Sequence, residues 1–360
     1  MSIEILEARQ EGREYPVCVG TRAAAAAAEL TSDRDLVALV TCGPVRATPF
    51  AERLERQLAR AGNLKLVHVL PDGEKGKRLA ELERAAAKLL RAGATRRSLV
   101  IAVGGGAVTD AAGFLAATFM RGVDWMAVPT TLLGMVDAAL GGKTAVNLPQ
   151  AKNIVGAFHP PAAVLMDPTA LATLPFRELR SGFGEVLKYA ALRPSLLPAA
   201  ARAAARGKAD ADLVAACARI KLEVVERDPL ERGERKLLNL GHTFGHGVEA
   251  AGGFRRYTHG EAVSVGLAFA FRLAARMGRV ADEQAFEVEA ALSEAGLPIR
   301  VPAAVARRAA ALMATDKKRT AAGLRWVLPE RVGDGWGVEW DVAADPAALR
   351  ATLADVAEDA

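Results

Sequence analysis

Cysteine is scarce in this chain. Cys18, Cys42 and Cys217 are the three in 360 residues, they lie far apart, and no Cys-x-x-Cys occurs. Neither a disulfide framework nor a thiolate zinc site is expected from that spacing. Long apolar runs are missing as well. The best stretch, Ala262 to Phe271, is about half the length that a membrane span requires. The opening Met1-Ser2-Ile3-Glu4 lacks the basic-then-apolar pattern of a secretory signal. A reducing cytoplasm is therefore the expected setting, with no membrane partner. No charge sign dominates: 47 basic residues stand against 42 acidic, a net charge of +5, without any Lys/Arg block. That excludes the usual electrostatic footprint of a nucleic-acid binder and is compatible with an anionic small substrate. Histidine, at five residues, is nearly as rare as cysteine.

What is present reads as a globular chain, with 51% apolar and 25% charged residues. At this length two domains are the default. The first half alternates strand-like and helix-like segments. Leu36 to Thr41 is a short apolar run of the buried parallel type, Phe50 to Ala61 is amphipathic, and Leu64 to Leu70 reads as a strand. Leu79 to Gly93 is a helix ending in a glycine cap, and Ser98 to Val103 is the clearest buried strand. Such alternation argues for an α/β domain with a parallel, Rossmann-like sheet and helices on both faces. From about Phe176 the texture changes to Ala-rich amphipathic stretches: Leu196 to Lys208, Leu213 to Glu226, Glu261 to Met277 and Asp282 to Ala295. The expected division is an α/β domain over 1–176 and a mostly α-helical domain over 177–360. The alanine runs Ala23 to Ala28 and Ala199 to Ala205 are assigned to helices, because alanine is the best helix former.

Gly104-Gly105-Gly106-Ala107 follows the clearest strand and precedes a helix. Three glycines let backbone N–H groups approach a pyrophosphate, and the helix N-terminus adds a favourable field. This is not the Gly-x-Gly-x-x-Gly fingerprint. A tight turn, however, would need one or two glycines and not three, so nucleotide binding is the favoured reading. Gly73-Glu74-Lys75-Gly76-Lys77 and Pro129-Thr130-Thr131 are further loops suited to phosphate or ribose.

Three of the five histidines fall within 242–259, in Asn239-Leu240-Gly241-His242-Thr243-Phe244-Gly245-His246 and His259-Gly260-Glu261. His242 and His246 are four apart and would stack one turn apart on a helix face. That is ligand spacing for a divalent metal, with His259 arriving from the next segment. An N-cap or core pair is the plain alternative. The third histidine and the interleaved glycines favour a site, although spacing alone does not say which side chains are ligands. The two remaining histidines are expected to be structural: His68 packs, and His159 before Pro160-Pro161 sits in a loop.

Met120-Arg121-Gly122-Val123, Pro129-Thr130-Thr131-Leu132-Leu133, Val136-Asp137 and Gly141-Gly142-Lys143-Thr144-Ala145-Val146-Asn147 begin a series of motifs. The series continues through Lys152-Asn153, Leu174-Pro175, Gly184-Glu185-Val186-Leu187-Lys188, Lys221, Arg235, the histidine motifs and Asp316-Lys317-Lys318. In this order and over nearly the whole chain, the set resembles the 3-dehydroquinate synthases, of the sugar-phosphate cyclase superfamily. The resemblance implies an N-terminal NAD-binding domain and a C-terminal domain carrying the metal site. It implies that Glu185, His242 and His259 hold Zn2+, with Co2+ as an alternative, and that His246 is a catalytic residue near the substrate phosphate. Asp137, Lys143, Asn153, Lys188, Lys221, Arg235 and Asn239 match the substrate pocket, and Arg121 the phosphate-contacting arginine. Glu74, Lys77, Gly105, Gly106, Ala107, Asp110, Thr130, Thr131, Lys143, Lys152 and Thr173 match positions that contact NAD+.

The implied reaction turns 3-deoxy-D-arabino-heptulosonate 7-phosphate into 3-dehydroquinate and phosphate, a step of the shikimate pathway of aromatic amino-acid biosynthesis. It runs by transient oxidation with NAD+, β-elimination of phosphate, re-reduction and intramolecular aldol closure, and the family often forms homodimers. Three departures stand out. Thr41 is followed by Cys42-Gly43-Pro44 where the family has Asp and Asn near the NAD ribose; Ala138-Ala139 replace a serine pair; Ala151 replaces a glycine. Rival readings are a valiolone- or inosose-type cyclase, a metal-dependent alcohol or glycerol dehydrogenase, and a non-catalytic binding protein. The intact set of carboxylate-binding residues argues against the first. The density of Lys and Arg argues against the second, and the complete metal and proton-transfer set against the third.

Overall fold

The computed structural model describes residues 3–315 and 324–358. The chain divides into two compact units, Met1–Pro175 with Asp210–Pro229, and Phe176–Ala209 with Leu230–Ala360.

The first unit is built on strands β1 (Glu4–Gln10), β2 (Arg13–Val19), β3 (Val37–Cys42), β4 (Leu64–Leu70), β5 (Leu99–Gly104), β6 (Asp124–Pro129), β7 (Lys143–Leu148), β8 (Ala151–Phe158) and β9 (Ala163–Met166). Seven of these form one sheet in the order β1-β2-β9-β6-β5-β3-β4, while β7 and β8 pair separately as an antiparallel hairpin. All pairs in the large sheet are parallel except β1 with β2. Every residue of β3 and β5 is buried, which is why each reads as an unbroken apolar run and not an alternating one. The helices Pro49–Arg60 and Leu79–Arg91 lie where the amphipathic pattern places them. Thr48 caps the first of these by accepting from the Ala51 N–H, with Pro49 at the first helical position. The alanine run near the N-terminus forms a 3-10 turn, Ala23–Ala25, that continues into the helix Ala26–Glu29.

The chain does not divide at one point. The helix Ala211–Arg227, which the sequence pattern groups with the helical half, is counted with the first unit. There it packs on β1 and on the turn Gly134–Ala138. Amphipathic periodicity reports that a helix has an apolar face, here including Leu213, Val214, Cys217 and Val225, but not which surface covers it.

The second unit is mainly helical: Phe176–Leu192, Leu197–Ala205, His242–Ala251, His259–Arg276, Asp282–Glu294, Ala303–Thr315 and Pro346–Asp355. It also carries an antiparallel hairpin, Arg325–Val332 with Gly335–Ala343, in a region where sequence showed few strand signals. The hairpin belongs to the core: the Trp326 ring stacks on Phe269, which stacks on Phe244 with centroids 4.3 Å apart. The indole N–H of Trp336 donates to the Ala191 carbonyl at 2.8 Å. No helix among the described residues is long and apolar enough to cross a membrane.

Candidate functional site

Three helices of the second unit, Phe176–Leu192, His242–Ala251 and His259–Arg276, meet backbone to backbone, and glycine permits it. A Cβ on Gly260 would lie 1.7 Å from the Ser181 carbonyl oxygen, and one on Gly184 2.4 Å from that of Gly260. A Cβ on Gly266 would lie 1.8 Å from the Gly241 oxygen. Gly184 precedes Glu185, Gly241 precedes His242 and Gly260 follows His259. The glycines interleaved with the histidines are thus the contact points that draw Glu185, His242 and His259 together. The N-terminus of His259–Arg276 is fixed by a capping box: the Glu261 N–H donates to Thr258 Oγ1 at 3.3 Å, and Glu261 Oε2 accepts from the Thr258 N–H at 2.8 Å. Arg177 clamps the same carboxylate at 2.8 and 3.0 Å.

Glu185, His242 and His259 each present a donor atom within 4.8 Å of the others. His259 Nε2 lies 3.0 Å and His242 Nε2 3.4 Å from Glu185 Oε1, and Glu185 is fully buried. The second ring nitrogens face other acceptors. His242 Nδ1 is 3.2 Å from the Leu240 carbonyl, and His259 Nδ1 is 3.3 Å from Glu249 Oε2. Burial drives the His242 imidazole well below the usual histidine range, against the pull of Glu185, leaving it in the neutral form that binds metals. Burial acts the same way on His259, but its hydrogen bonds to Glu185 and Glu249 win and raise its pKa to about 10. Two imidazoles with one carboxylate are a donor set suited to zinc. The residues fit a divalent cation.

Of the other expected residues of this unit, Lys188 and His246 lie on the same helices, and Arg235 and Asn239 on the 3-10 turn Glu234–Asn239. Lys188, one turn after Glu185, is buried with its Nζ 2.5 Å from Glu185 Oε2. His246 is exposed, its ring centroid 5.2 Å from that of His242 and 6.2 Å from that of His259. Arg235 is buried, and the Asn239 side-chain amide donates to Glu231 at 2.9 Å. Lys317 and Lys318, with Asp316, lie outside the described residues.

In the first unit, β5 runs into Gly105, the cap of the helix Gly106–Thr118. The glycine triplet is packed as well as permissive. A Cβ on Gly104 would sit 2.6 Å from Val108 Cβ, and one on Gly105 2.9 Å from Thr131 Cγ2. Thr131 Oγ1 accepts from the Gly134 N–H at 3.0 Å, and the Thr130 N–H donates to Gly104 O at 3.0 Å, so the two loops brace one another. Gly105, Gly106 and Ala107 stay half-buried, at the amide-rich end of a helix, the arrangement that accepts phosphate. Beside them Lys77, itself buried, donates from Nζ to Asp110 Oδ2 at 2.6 Å and to Asn153 Oδ1. Burial raises the Asp110 pKa and Lys77 opposes it. Asn147 joins the same group, donating to Glu74 at 2.5 Å and accepting from the Asn153 N–H at 2.8 Å. Asn153 holds φ +54, a left-handed backbone that asparagine tolerates better than most residues.

Asp137 sits in a single π turn, Gly134–Ala138, a form enriched at functional sites. Lys221 Nζ donates to Asp137 O at 2.6 Å and to Oδ1 at 2.8 Å. Arg121 has φ +66 and is exposed, as are Lys143, Lys152 and Thr173. Cys42 ends β3, and Gly43-Pro44 open the one-turn helix Gly43–Arg46. The remaining histidines are structural: His68 is buried beside Lys88, with Nδ1 3.1 Å from Nζ, and His159 lies in the loop after β8 with Nε2 2.9 Å from Val123 O. Sequence reasoning missed Glu249. It also read Glu261 as part of the histidine motif, although Thr258-x-x-Glu261 before an apolar run is a helix-start signal.

Comparison with known proteins bears on the family of the chain. Family models described as 3-dehydroquinate synthase N-terminal and 3-dehydroquinate synthase C-terminal match residues 67–181 and 182–319. A 3-dehydroquinate synthase of Xylella fastidiosa (strain M23) is 45% identical over 332 residues, covering 88% of this chain and 89% of its own length. Among solved structures, the 2-epi-5-epi-valiolone synthase of Streptomyces hygroscopicus subsp. jinggangensis 5008, with NAD+ and Zn2+ bound, is 27% identical with a TM-score of 0.84 over 98% of each chain. A 2-deoxy-scyllo-inosose synthase complexed with carbaglucose-6-phosphate, NAD+ and Co2+ shares the fold, with a TM-score of 0.81, 22% identity and coverage of 98% of this chain and 100% of its own. Family models that span both halves and relatives that align along most of their length place this chain in the 3-dehydroquinate synthase family.

Proposed function

We propose that this protein converts 3-deoxy-D-arabino-heptulosonate 7-phosphate to 3-dehydroquinate and phosphate, as a carbon–oxygen lyase dependent on NAD+ and on zinc or cobalt. The observation that carries the metal part is the buried Glu185, with the Nε2 atoms of His242 and His259 both facing its Oε1. When bound, the ion would supply Lewis-acid polarisation of a substrate hydroxyl, and NAD+ would supply reversible hydride chemistry.

The rest falls to the chain's own side chains. The substrate carries a carboxylate and a phosphate, and Arg121, Lys143, Lys152, Lys188, Lys221 and Arg235 are the cations that pair with them. Asp137, Asn153 and Asn239 orient hydroxyls, and His246, exposed and titratable, moves a proton near the departing phosphate. For the nucleotide, the amides of Gly105, Gly106 and Ala107 would hold the pyrophosphate. Glu74, Lys77, Asp110, Thr130, Thr131, Lys143, Lys152 and Thr173 complete that pocket. Cys42 and Pro44 offer the ribose no side-chain oxygen, so its partners come from elsewhere in this set. The first unit is the nucleotide carrier and the second holds the metal. The working form is a cytoplasmic homodimer without nucleic-acid or membrane partners.

The test is a substrate panel: phosphate release from 3-deoxy-D-arabino-heptulosonate 7-phosphate and from sedoheptulose 7-phosphate, and NADH formation with glycerol. Turnover of the first substrate alone supports the reading. Turnover confined to sedoheptulose 7-phosphate, or sustained NADH production with glycerol, would replace it with a rival.

A further inference from the structure

We propose that Glu249 is the positioning residue of the metal centre, its carboxylate accepting the Nδ1 proton of His259 so that Nε2 of the same ring is presented to the ion. The inference rests on the reading of Glu185, His242 and His259 as ligands. His259 lies between two carboxylates, with Nε2 3.0 Å from Glu185 Oε1 and Nδ1 3.3 Å from Glu249 Oε2. The Glu249 side chain is 12% exposed, so its bond is poorly screened by water.

A neutral imidazole offers one lone pair. If Nε2 takes the ion, Nδ1 keeps its proton and needs an acceptor. The two ligand histidines obey this rule with the same polarity and different acceptors, Leu240 O for His242 and Glu249 for His259. A carboxylate acceptor fixes the tautomer, holds the ring plane and raises the basicity of the coordinating nitrogen. Glu249 lies on the His242–Ala251 helix, seven residues after His242 and three after His246, and so on the same face. One helix thereby donates a ligand and orients another that belongs to the next helix.

His246, Glu249 and His259 also present donor atoms within 4.8 Å of one another. A second ion there would require His259 to lose both ring protons and bridge two cations as imidazolate. The hydrogen-bonded carboxylate needs no such ionisation, so the geometry favours orientation over a second metal.

The test strips metal from wild-type protein and from the variants Glu249→Ala and Glu249→Gln, then titrates zinc against a competing chelator and records the visible spectrum of the Co2+ forms. Zinc affinity should fall about 10- to 100-fold in Glu249→Ala and less in Glu249→Gln, whose amide oxygen still accepts from Nδ1. The Co2+ spectrum should shift in the same order. The melting temperature of each metal-free form reports folding, and if Glu249→Ala does not fold, Glu249→Gln carries the test. Unchanged affinity in the variants, with one ion bound by wild type, overturns the positioning role. Two ions in wild type, the second lost in both variants, overturns it by making Glu249 a ligand. A wild type that binds no ion defeats the ligand reading underneath it.

Discussion

Lys221 and Asp137, eighty-four positions apart in sequence, are joined at two points: Lys221 Nζ reaches the Asp137 main-chain oxygen at 2.6 Å and its carboxylate at 2.8 Å. The bond ties the Ala211–Arg227 helix to the π turn Gly134–Ala138, and both belong to the first unit. Lys221 is 6% exposed, so its charge is held by partners and not by water. Replacement by Met should cut turnover at least 100-fold and lower stability by about 2 kcal/mol. That figure is set below the ~3–5 kcal/mol for breaking a fully buried pair, because the Asp137 side chain keeps 24% exposure. Denaturant unfolding of Lys221→Met beside an Asp137→Ala, Lys221→Met double variant checks it. The second change should cost much less in the double variant than alone.

Gly260 tests the packing of the helices that carry the candidate metal ligands. A Cβ there would fall 1.7 Å from the Ser181 oxygen, so Gly260→Ala must push two helices apart. The expected loss is about 3 kcal/mol or more of stability, together with weaker zinc binding. A variant within about 1 kcal/mol of wild type in urea, with normal metal content, would show that the close approach is not needed.

His242 and His246 should separate cleanly. His242→Ala is expected to lose both the metal and turnover. His246→Ala should keep one zinc per chain and lose turnover roughly 100-fold or more, the scale of general acid–base catalysis. Metal analysis of both proteins decides it, and loss of zinc from His246→Ala would contradict its assignment.

Asp124 gives a pH dependence away from the metal centre. Burial would raise its pKa, but hydrogen bonds from Arg13 at 2.5 Å and Arg34 at 2.9 Å hold it below the ordinary carboxylate value. A depressed folded pKa means stability that is full above the unfolded value, about 3.9, and is lost as pH falls from there through the folded pKa. Asp124→Asn should therefore be less stable than wild type at pH 7, with the gap closing below about pH 4. A gap independent of pH would contradict this.

The sequence made some elements plain for physical reasons. β5 is buried along its whole length, so Leu99 to Val103 could not look like anything but a buried strand, and the glycines after it had to mark a turn into a helix. The candidate ligand histidines stood out because histidine is rare and glycine lay beside each. Their expected roles came from resemblance, since a four-residue spacing cannot say which rings converge. The Ala211–Arg227 helix was visible as a helix, but its place in the first unit depends on a tertiary surface that no local pattern records. The hairpin Arg325–Val332 with Gly335–Ala343 carries charges and a bulge near Trp326 that break its alternation. Glu249 looks like any glutamate on an amphipathic helix until His259 is folded back against it.

The measurement that bears most directly on this account is the stoichiometry of one reaction. Protein is mixed with 3-deoxy-D-arabino-heptulosonate 7-phosphate and a trace of NAD+, before and after metal chelation, while phosphate and NADH are followed together. The account predicts one phosphate per substrate, no net NADH, no activity after chelation and recovery with zinc. Phosphate release that persists without metal or NAD+, or NADH that accumulates with turnover, would contradict it.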